Sequence, residues 1–212
     1  MIASLHQSLN RTGLDYFDIF YSHRYDANTP VEETIQTLID IVKQGKALYI
    51  GLSKYPPEQA EIAYKMMQEQ HTPCLIFQDK YNLLHRDPET QDFPLVEKYG
   101  AGFISFSPLA QGLLTNRYLN GIPTDSRAAK SPTLDKTLLN EALIKKLNQL
   151  NELAQKRGQT LAEMSLAWLL YHPAVTSVIV GASSVAQLKD NMNTINNYDF
   201  SQEELMQIDS LL

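Results

Sequence analysis

Short apolar segments alternate with amphipathic helical patterns along most of this 212-residue chain. The first four apolar segments begin at Tyr16, Ala47, Cys74 and Gly102, and each is short and rich in branched or aromatic residues, which is typical of strands. Because helical patterns lie between them, the strands are predicted to run parallel and to be joined by right-handed crossovers. The alternation therefore predicts an α/β fold whose parallel sheet is covered on both faces.

Local signals mark where the helices begin and end. A first helix from Ile2 is expected to stop at Gly13. Residues 107–136 interrupt the alternation with a Gly-, Pro-, Ser- and Asn-rich loop, and a loop that long is usually functional. A fifth strand is predicted over residues 177–181, before a helix capped by Ser184. Three capping boxes are predicted, at Thr29 with Pro30 and Glu32, at Thr160 with Glu163, and at Ser201 with Glu204.

Composition limits the classes of partner. The chain has 18 basic and 24 acidic residues, a net charge of −6 and a pI near 5.3, which argues against nucleic acid or an anionic membrane surface. Its single cysteine, Cys74, excludes an internal disulfide and suits a reducing compartment. No stretch reaches the roughly 18 apolar residues of a membrane span. We expect a cytoplasmic protein with one domain over residues 1–212 and no metal site.

Polar residues follow the predicted strands, at the edge of the sheet where parallel α/β proteins bind their ligands. The helix after Ser184 begins with free backbone N–H groups, which suit a phosphate. The chain lacks a G-x-G-x-x-G loop, so an open doubly wound sheet is only an alternative to a barrel. The strand-end residues are His23, Ser53 with Lys54, Gln78, Phe106 with Ser107, and Gly181 with Ser183.

Five stretches in order, TGLDYFDIFYSH, GKALYIGLSK, YNLL, ISFSPLAQGLLT and VIVGASSVAQLKDN, resemble the aldo-keto reductase superfamily over nearly the whole chain. The closest branch holds the bacterial glyceraldehyde 3-phosphate reductases and the potassium-channel β-subunits. The resemblance implies a (β/α)8 TIM barrel that binds NADP(H) and transfers a hydride to an aldehyde or ketone. With five βα units present, we expect the C-terminal part of such a barrel, lacking the first three units.

The resemblance also implies catalytic roles. His23 resembles the histidine of the family's Asp-Tyr-Lys-His tetrad, which orients the carbonyl and supports the proton donor. The other three members belong to the first three strands of the family barrel. Four tyrosines are not at the lysine-supported position of the proton donor: Tyr21, Tyr25, Tyr55 and Tyr81. We therefore expect poor catalysis from these 212 residues alone, and poor folding because three missing strands would leave two open edges on the sheet.

Cofactor contacts are implied in three groups. For the nicotinamide, Ser53 and Gln78 would hold the carboxamide, Lys54 stands where many members have asparagine, and Phe106 would stack on the ring. The resemblance implies NADP(H), and because Gln187 stands where much of the superfamily has arginine, NAD(H) is an alternative cofactor. The pyrophosphate group comprises Ser107, Leu109, Gln111, Gly112, Arg117 and the clamp Arg127, and the adenosine group comprises Gly181, Ser183, Gln187, Asp190 and Asn191.

Two functions stay open at this point. The first is an NADPH-dependent reductase of small aldehydes or ketones, including compounds like glyceraldehyde 3-phosphate. The alternative is a non-catalytic NADP(H)-binding regulatory subunit similar to the potassium-channel β-subunits. The expected partner is a small carbonyl substrate, without nucleic acid or membrane insertion, and a homo-oligomer is compatible with the sequence. Without the resemblance, His23 and Phe106 would be interpreted as packing residues and Arg127 as a solvated one.

Overall fold

The computed structural model describes residues 1–124 and 139–212. Five strands in these residues form one sheet in the order β1-β2-β3-β4-β5, and β2 pairs in parallel with both β1 and β3. The predicted α/β class with a parallel sheet is confirmed. A doubly wound sheet reverses its strand order at a switch point, so the unbroken order favours barrel-type winding. Arg127, predicted as a cofactor clamp, lies outside the described residues.

The chain divides into two compact units, residues 1–79 with 87–104 and residues 80–86 with 105–212. In the first unit helices and strands alternate almost as predicted. Gly13 ends the first helix with a left-handed φ of 70°, and β4 has the predicted bounds. The elements up to the end of β4 are α1 (Ile2–Thr12), β1 (Phe17–Ser22), α2 (Val31–Lys43), β2 (Ala47–Ser53), α3 (Pro57–Glu69), β3 (Cys74–Lys80), α4 (Pro88–Gln91), α5 (Phe93–Tyr99) and β4 (Gly102–Phe106).

Apolar faces of the helices form the core of the first unit. On α2, Ile35, Leu38 and Ile39 recur at helical spacing and are fully buried. Aromatic side chains extend this core: the Tyr64 and Tyr99 rings stack with centroids 4.9 Å apart, and a T-shaped contact of the same length joins Phe93 to Phe103. The core fixes the strands whose ends carry the predicted site residues. One cluster of buried residues joins α1, the end of α2 and the start of β2, and it comprises Leu5, Leu9, Ile41 and Ala47.

The predicted capping box at Thr29 is wrong. Pro30 takes the N-cap position of α2, and no side chain caps the helix. The Thr29 hydroxyl instead donates to Asp26 Oδ2 at 2.9 Å, while Asp26 Oδ1 accepts the backbone N–H of Asn28 at 3.0 Å. These bonds form a turn before the helix, and they hold the pKa of Asp26 below its ordinary value.

The second unit contains mainly helices. The other two predicted capping boxes, at Thr160 and at Ser201, are confirmed. The fifth strand, Val175–Val178, begins and ends earlier than the predicted 177–181. The Ile179 N–H donates to the Ser105 carbonyl at 2.8 Å, and the residues from Ile179 onward lie outside the strand. The elements after β4 in the described residues are α6 (Glu141–Lys156), α7 (Leu161–Tyr171), β5 (Val175–Val178), α8 (Val185–Asn193) and α9 (Gln202–Leu211), with 3-10 turns at Ala110–Gly112, Asn116–Tyr118 and Thr194–Asn196.

Several apolar side chains are exposed, contrary to the prediction of a sheet covered on both faces. Leu48 and Tyr49 on β2 are each about half exposed. The helix α8 has no buried residue, and its apolar residues Val185, Leu188 and Met192 recur at helical spacing on its exposed surface, with Val185 71% exposed. Among the described helices, none combines the length and the apolar character required to cross a bilayer.

Candidate functional site

Three predicted site residues of the first unit lie together at the ends of β2 and β3. Ser53 pairs with Gln78 in the parallel ladder, and the backbone N–H of Lys54 donates to the Gln78 carbonyl at 3.3 Å. His23 follows Ser22, which pairs with Leu52 at the end of the β1–β2 ladder. The four predicted residues therefore follow one edge of three neighbouring strands, with Ser53 buried and the His23 side chain exposed.

Lys54 leaves β2 in a left-handed backbone conformation with φ of 53°. This conformation is uncommon for residues other than glycine and often occurs at functional sites. Its ammonium lies 4.0 Å from Asp79 Oδ1, so the side chain is directed toward the end of β3. Asparagine, which the resemblance implies at this position in many members of the family, adopts a positive φ more readily than lysine.

A cavity of about 760 Å³ lies within the second unit. Its volume is in the range of ligand-binding clefts. Two segments about seventy residues apart in sequence both contribute to its wall, and they carry the residues predicted for the pyrophosphate and the adenosine. The predicted residues that line this cavity are Ser107, Leu109, Gln111, Gly112, Arg117, Gly181, Ser183, Gln187, Asp190 and Asn191.

The wall after β4 is a tightly wound loop. Ser107, Ala110, Gln111 and Gly112 all have positive φ, between 47° and 100°. The loop is held by the Asn82 side-chain amide, which is fully buried and donates to the Ser107 carbonyl at 2.9 Å, and by a bond of the same length from the Ala110 N–H to that carbonyl. Repeated left-handed residues are typical of loops that bring backbone close to a ligand.

The second segment of the wall contains the N-terminal part of α8. The Ser184 hydroxyl caps the helix by accepting the Gln187 backbone N–H at 3.2 Å. Gln187 Oε1 in turn accepts two bonds of 2.8 Å, from the Ser183 N–H and from the Ser183 hydroxyl. This network fixes Ser183 and Gln187 beside the positive end of the helix dipole, an arrangement that favours an anion. The predicted helix cap at Ser184 is confirmed.

The cavity wall contains residues that the sequence did not predict, and it does not contain Phe106, which was predicted to contact the cofactor. Phe106, the last residue of β4, is half-buried and is not part of the wall. The buried Tyr118 packs 3.6 Å from the position of a Cβ on Gly112, and only the aromatic character of Tyr118 offered a signal. The residues that line the cavity without having been predicted include Thr115, Asn116, Tyr118, Thr160 and Ala162.

Comparison with known proteins gives concordant matches. A model described as "Aldo/keto reductase family" matches residues 1–212. L-glyceraldehyde 3-phosphate reductase of Escherichia coli O157:H7 is 50% identical over 99% of this chain and 62% of that protein, and the enzyme of the same name from strain K12 is 49% identical over the same shares. A probable voltage-gated potassium channel subunit beta of Oryza sativa subsp. japonica is 36% identical over 92% of this chain and 61% of that protein.

The chain thus spans about three-fifths of the length of these curated relatives. The family match is independent of the cavity geometry, and it covers both the strand ends of the first unit and the cavity wall of the second. The order of the strands and the match over the full sequence lead to one conclusion: this chain belongs to the aldo/keto reductase family.

Proposed function

We propose that this chain binds NADP(H) and forms part of an oxidoreductase that reduces the carbonyl group of small aldehydes or ketones in the cytoplasm. The observation that carries the proposal is the cavity whose wall contains ten residues predicted from the family resemblance. The two Escherichia coli relatives, 50% and 49% identical, are L-glyceraldehyde 3-phosphate reductases, and this supports a substrate like glyceraldehyde 3-phosphate. The five strands would be the C-terminal part of a (β/α)8 barrel whose first three units hold the tetrad's Asp, Tyr and Lys.

The residues present fit such a cofactor. The backbone N–H groups at the start of α8 and the Arg117 guanidinium offer positive partners for phosphate oxygens, and the left-handed turns of residues 107–112 allow close approach of backbone. When bound, the dihydronicotinamide supplies the hydride. Ser53 and Gln78 would hold the carboxamide, Phe106 would cover one face of the ring, and His23 would orient the carbonyl oxygen of the substrate.

The choice between the two nicotinamide dinucleotides depends on the wall near Gln187. Ser183 and Gln187 are neutral, and Asp190 adds a carboxylate to the same wall. We propose that NADP(H) is preferred, as the resemblance implies, and that NAD(H) binds more weakly. Arg127 is expected at the pyrophosphate that both cofactors share, so it would not discriminate between them, and it lies outside the described residues.

Fluorescence titration of the chain with NADPH tests the cofactor assignment. We expect saturable binding, and we expect Ser183→Asp to weaken NADPH binding about tenfold, because the new carboxylate would lie beside the cofactor's 2′-phosphate. NADH, which lacks that phosphate, should lose less affinity. Ser210→Asp places the same charge on an exposed serine of α9 and is the matched control. Equal losses for NADPH and NADH, or none, would contradict the assignment of this wall.

The non-catalytic alternative has weaker support, because the potassium-channel relative is 36% identical to this chain whereas the reductase is 50% identical. The two functions differ in NADPH oxidation with a panel of small aldehydes. Because the Asp, Tyr and Lys of the tetrad are not expected in this chain, we predict slow aldehyde-dependent oxidation that His23→Ala abolishes. His6→Ala, in α1, is the histidine control and should retain the rate. Tight NADPH binding with no aldehyde-dependent oxidation would instead favour the regulatory role.

A further inference from the structure

Two hydroxyl groups in the first unit form a buried hydrogen bond that the proposed mechanism does not yet use. The Ser22 Oγ and Tyr55 OH atoms lie 2.7 Å apart, and either can be the donor. Ser22 is 6% exposed and Tyr55 is 3% exposed, so water does not compete freely for either group. The Tyr25 ring packs at a tilt against the Tyr55 ring, with 5.8 Å between centroids, and further restricts it.

This bond lies where the strand ladder ends. Ser22 and Leu52 are the last residues paired between β1 and β2, so no backbone pairing joins these two strands beyond them. His23 is the next residue after Ser22, and Tyr55 comes two residues after Ser53. The Ser22–Tyr55 bond therefore connects the two strand ends at the point where the predicted nicotinamide and carbonyl contacts begin.

The segment between Ser53 and Tyr55 needs such a restraint. Lys54 has a φ of 53°, a left-handed conformation that lysine rarely adopts. The segment is held on one side by the Lys54 N–H bond to the Gln78 carbonyl at 3.3 Å. On the other side it is held by the hydrogen bond of the Tyr55 hydroxyl. Burial raises the pKa of Tyr55, although the hydrogen bond with Ser22 acts in the opposite direction. The phenol therefore stays neutral and can donate or accept a hydrogen bond.

We propose that Ser22 and Tyr55 are positioning residues, which hold His23 and Ser53 in the mutual geometry that binds the nicotinamide end of the cofactor. Neither hydroxyl touches the ligand in this assignment. Ser22 acts through His23, the next residue, and Tyr55 acts through Ser53, two residues earlier in the chain. The inference rests on the proposed function, since it assigns a role to the same strand ends.

The test separates the two halves of the cofactor. Reduced nicotinamide mononucleotide probes the strand ends of the first unit, and adenosine 2′,5′-bisphosphate probes the cavity of the second. Binding of each is measured by calorimetry for the wild type, Tyr55→Phe, Ser22→Ala and the double variant. We expect each single variant to weaken mononucleotide binding about threefold to tenfold, the value of one hydrogen bond, with bisphosphate binding unchanged.

Two further results define the expected pattern. The double variant should lose no more affinity than the single variants, because both substitutions remove the same bond. Tyr64→Phe is the matched control: the Tyr64 hydroxyl is buried and has no hydrogen-bond partner among the described residues, so its removal should change neither affinity.

The outcomes distinguish this inference from the proposed function. Wild-type protein that binds neither probe overturns both. Wild-type protein that binds both probes, with Tyr55→Phe affecting neither or weakening both equally, leaves the cofactor assignment intact and overturns the positioning role. Additive losses in the double variant also overturn it, because independent effects would mean that the two hydroxyls do not act as a pair.

Discussion

Arg157→Ala is expected to lower the free energy of unfolding of the second unit by about 3 kcal/mol. The Arg157 side chain is 5% exposed, and its Nη1 lies 2.6 Å from Glu204 Oε1. Its remaining groups donate to the Asp199 carbonyl and to Gln159 Oε1, each at 2.8 Å, and its guanidinium lies 3.8 Å from the Phe200 ring centroid. Alanine would remove all four interactions at once and leave a partly buried carboxylate without its cation.

The same contacts make the loss dependent on pH. Burial alone would raise the pKa of Glu204, but the hydrogen bonds from Ser201 and Arg157 lower it below its ordinary value. A carboxyl with a lowered folded pKa stabilises the protein above its unfolded pKa, and the stabilisation is lost as pH falls through the folded pKa. The difference between wild type and Arg157→Ala should therefore shrink in acid.

Trp168 provides the measurement, because it is the single tryptophan and lies buried on α7 of the second unit. Urea unfolding followed by its fluorescence gives the free energy for each variant. Lys156→Ala, which removes the neighbouring exposed cation, should stay within about 0.5 kcal/mol of wild type. An Arg157→Ala midpoint that coincides with the Lys156→Ala midpoint would show that the cluster does not stabilise the unit.

Asp92→Asn is expected to stabilise the first unit at pH 8 more than at pH 5. Asp92 lies buried between α4 and α5, where burial, followed by the nearby carboxylates of Asp79 and Asp87, raises its pKa from 3.8 to about 7. As pH rises, the unfolded chain releases this proton first, so the wild type loses stability until the folded group also ionises near pH 7. At about 1.36 kcal/mol per pKa unit, the loss between pH 5 and pH 8 is about 3 kcal/mol.

Asparagine keeps the shape of Asp92 and removes the charge, so the variant should not show this loss. Amide hydrogen exchange in α5 (Phe93–Tyr99) measures the opening free energy close to the site at both pH values. Asp18→Asn, on an exposed position of β1, is the control and should follow the wild type. If Asp92→Asn and wild type change equally between pH 5 and pH 8, the carboxyl is already ionised at pH 5 in the folded chain.

The features that sequence predicts well here are those set by neighbouring residues. The capping boxes at Thr160 and Ser201 each involve a side chain and a backbone group three residues apart, so the information lies in one short segment. The apolar run from Gly102 to Phe106 likewise forms β4 without a shift. Thr29 shows the limit of such signals, because Asp26 competes for its hydroxyl through an equally local turn.

Features that depend on distant residues could not be derived from spacing. Periodicity cannot pair residues 107–117 with residues 181–191, and only the family resemblance indicated that both segments serve one ligand. The Ser22–Tyr55 bond joins residues thirty-three positions apart, and neither residue type predicts it. The end of β5 is also nonlocal: the apolar run continues to Val180, but pairing partners, and not hydropathy, determine where the strand stops.

The uncovered apolar surface of α8 has a practical consequence for stability assays. Environment-sensitive dyes such as anilinonaphthalene sulfonate fluoresce when they adsorb to exposed apolar side chains, and Val185, Leu188 and Met192 present such side chains in the native state. Thermal scans that use these dyes should therefore start from a bright baseline, which would mask the onset of melting. The intrinsic fluorescence of Trp168 is therefore the better signal for following thermal unfolding of this protein.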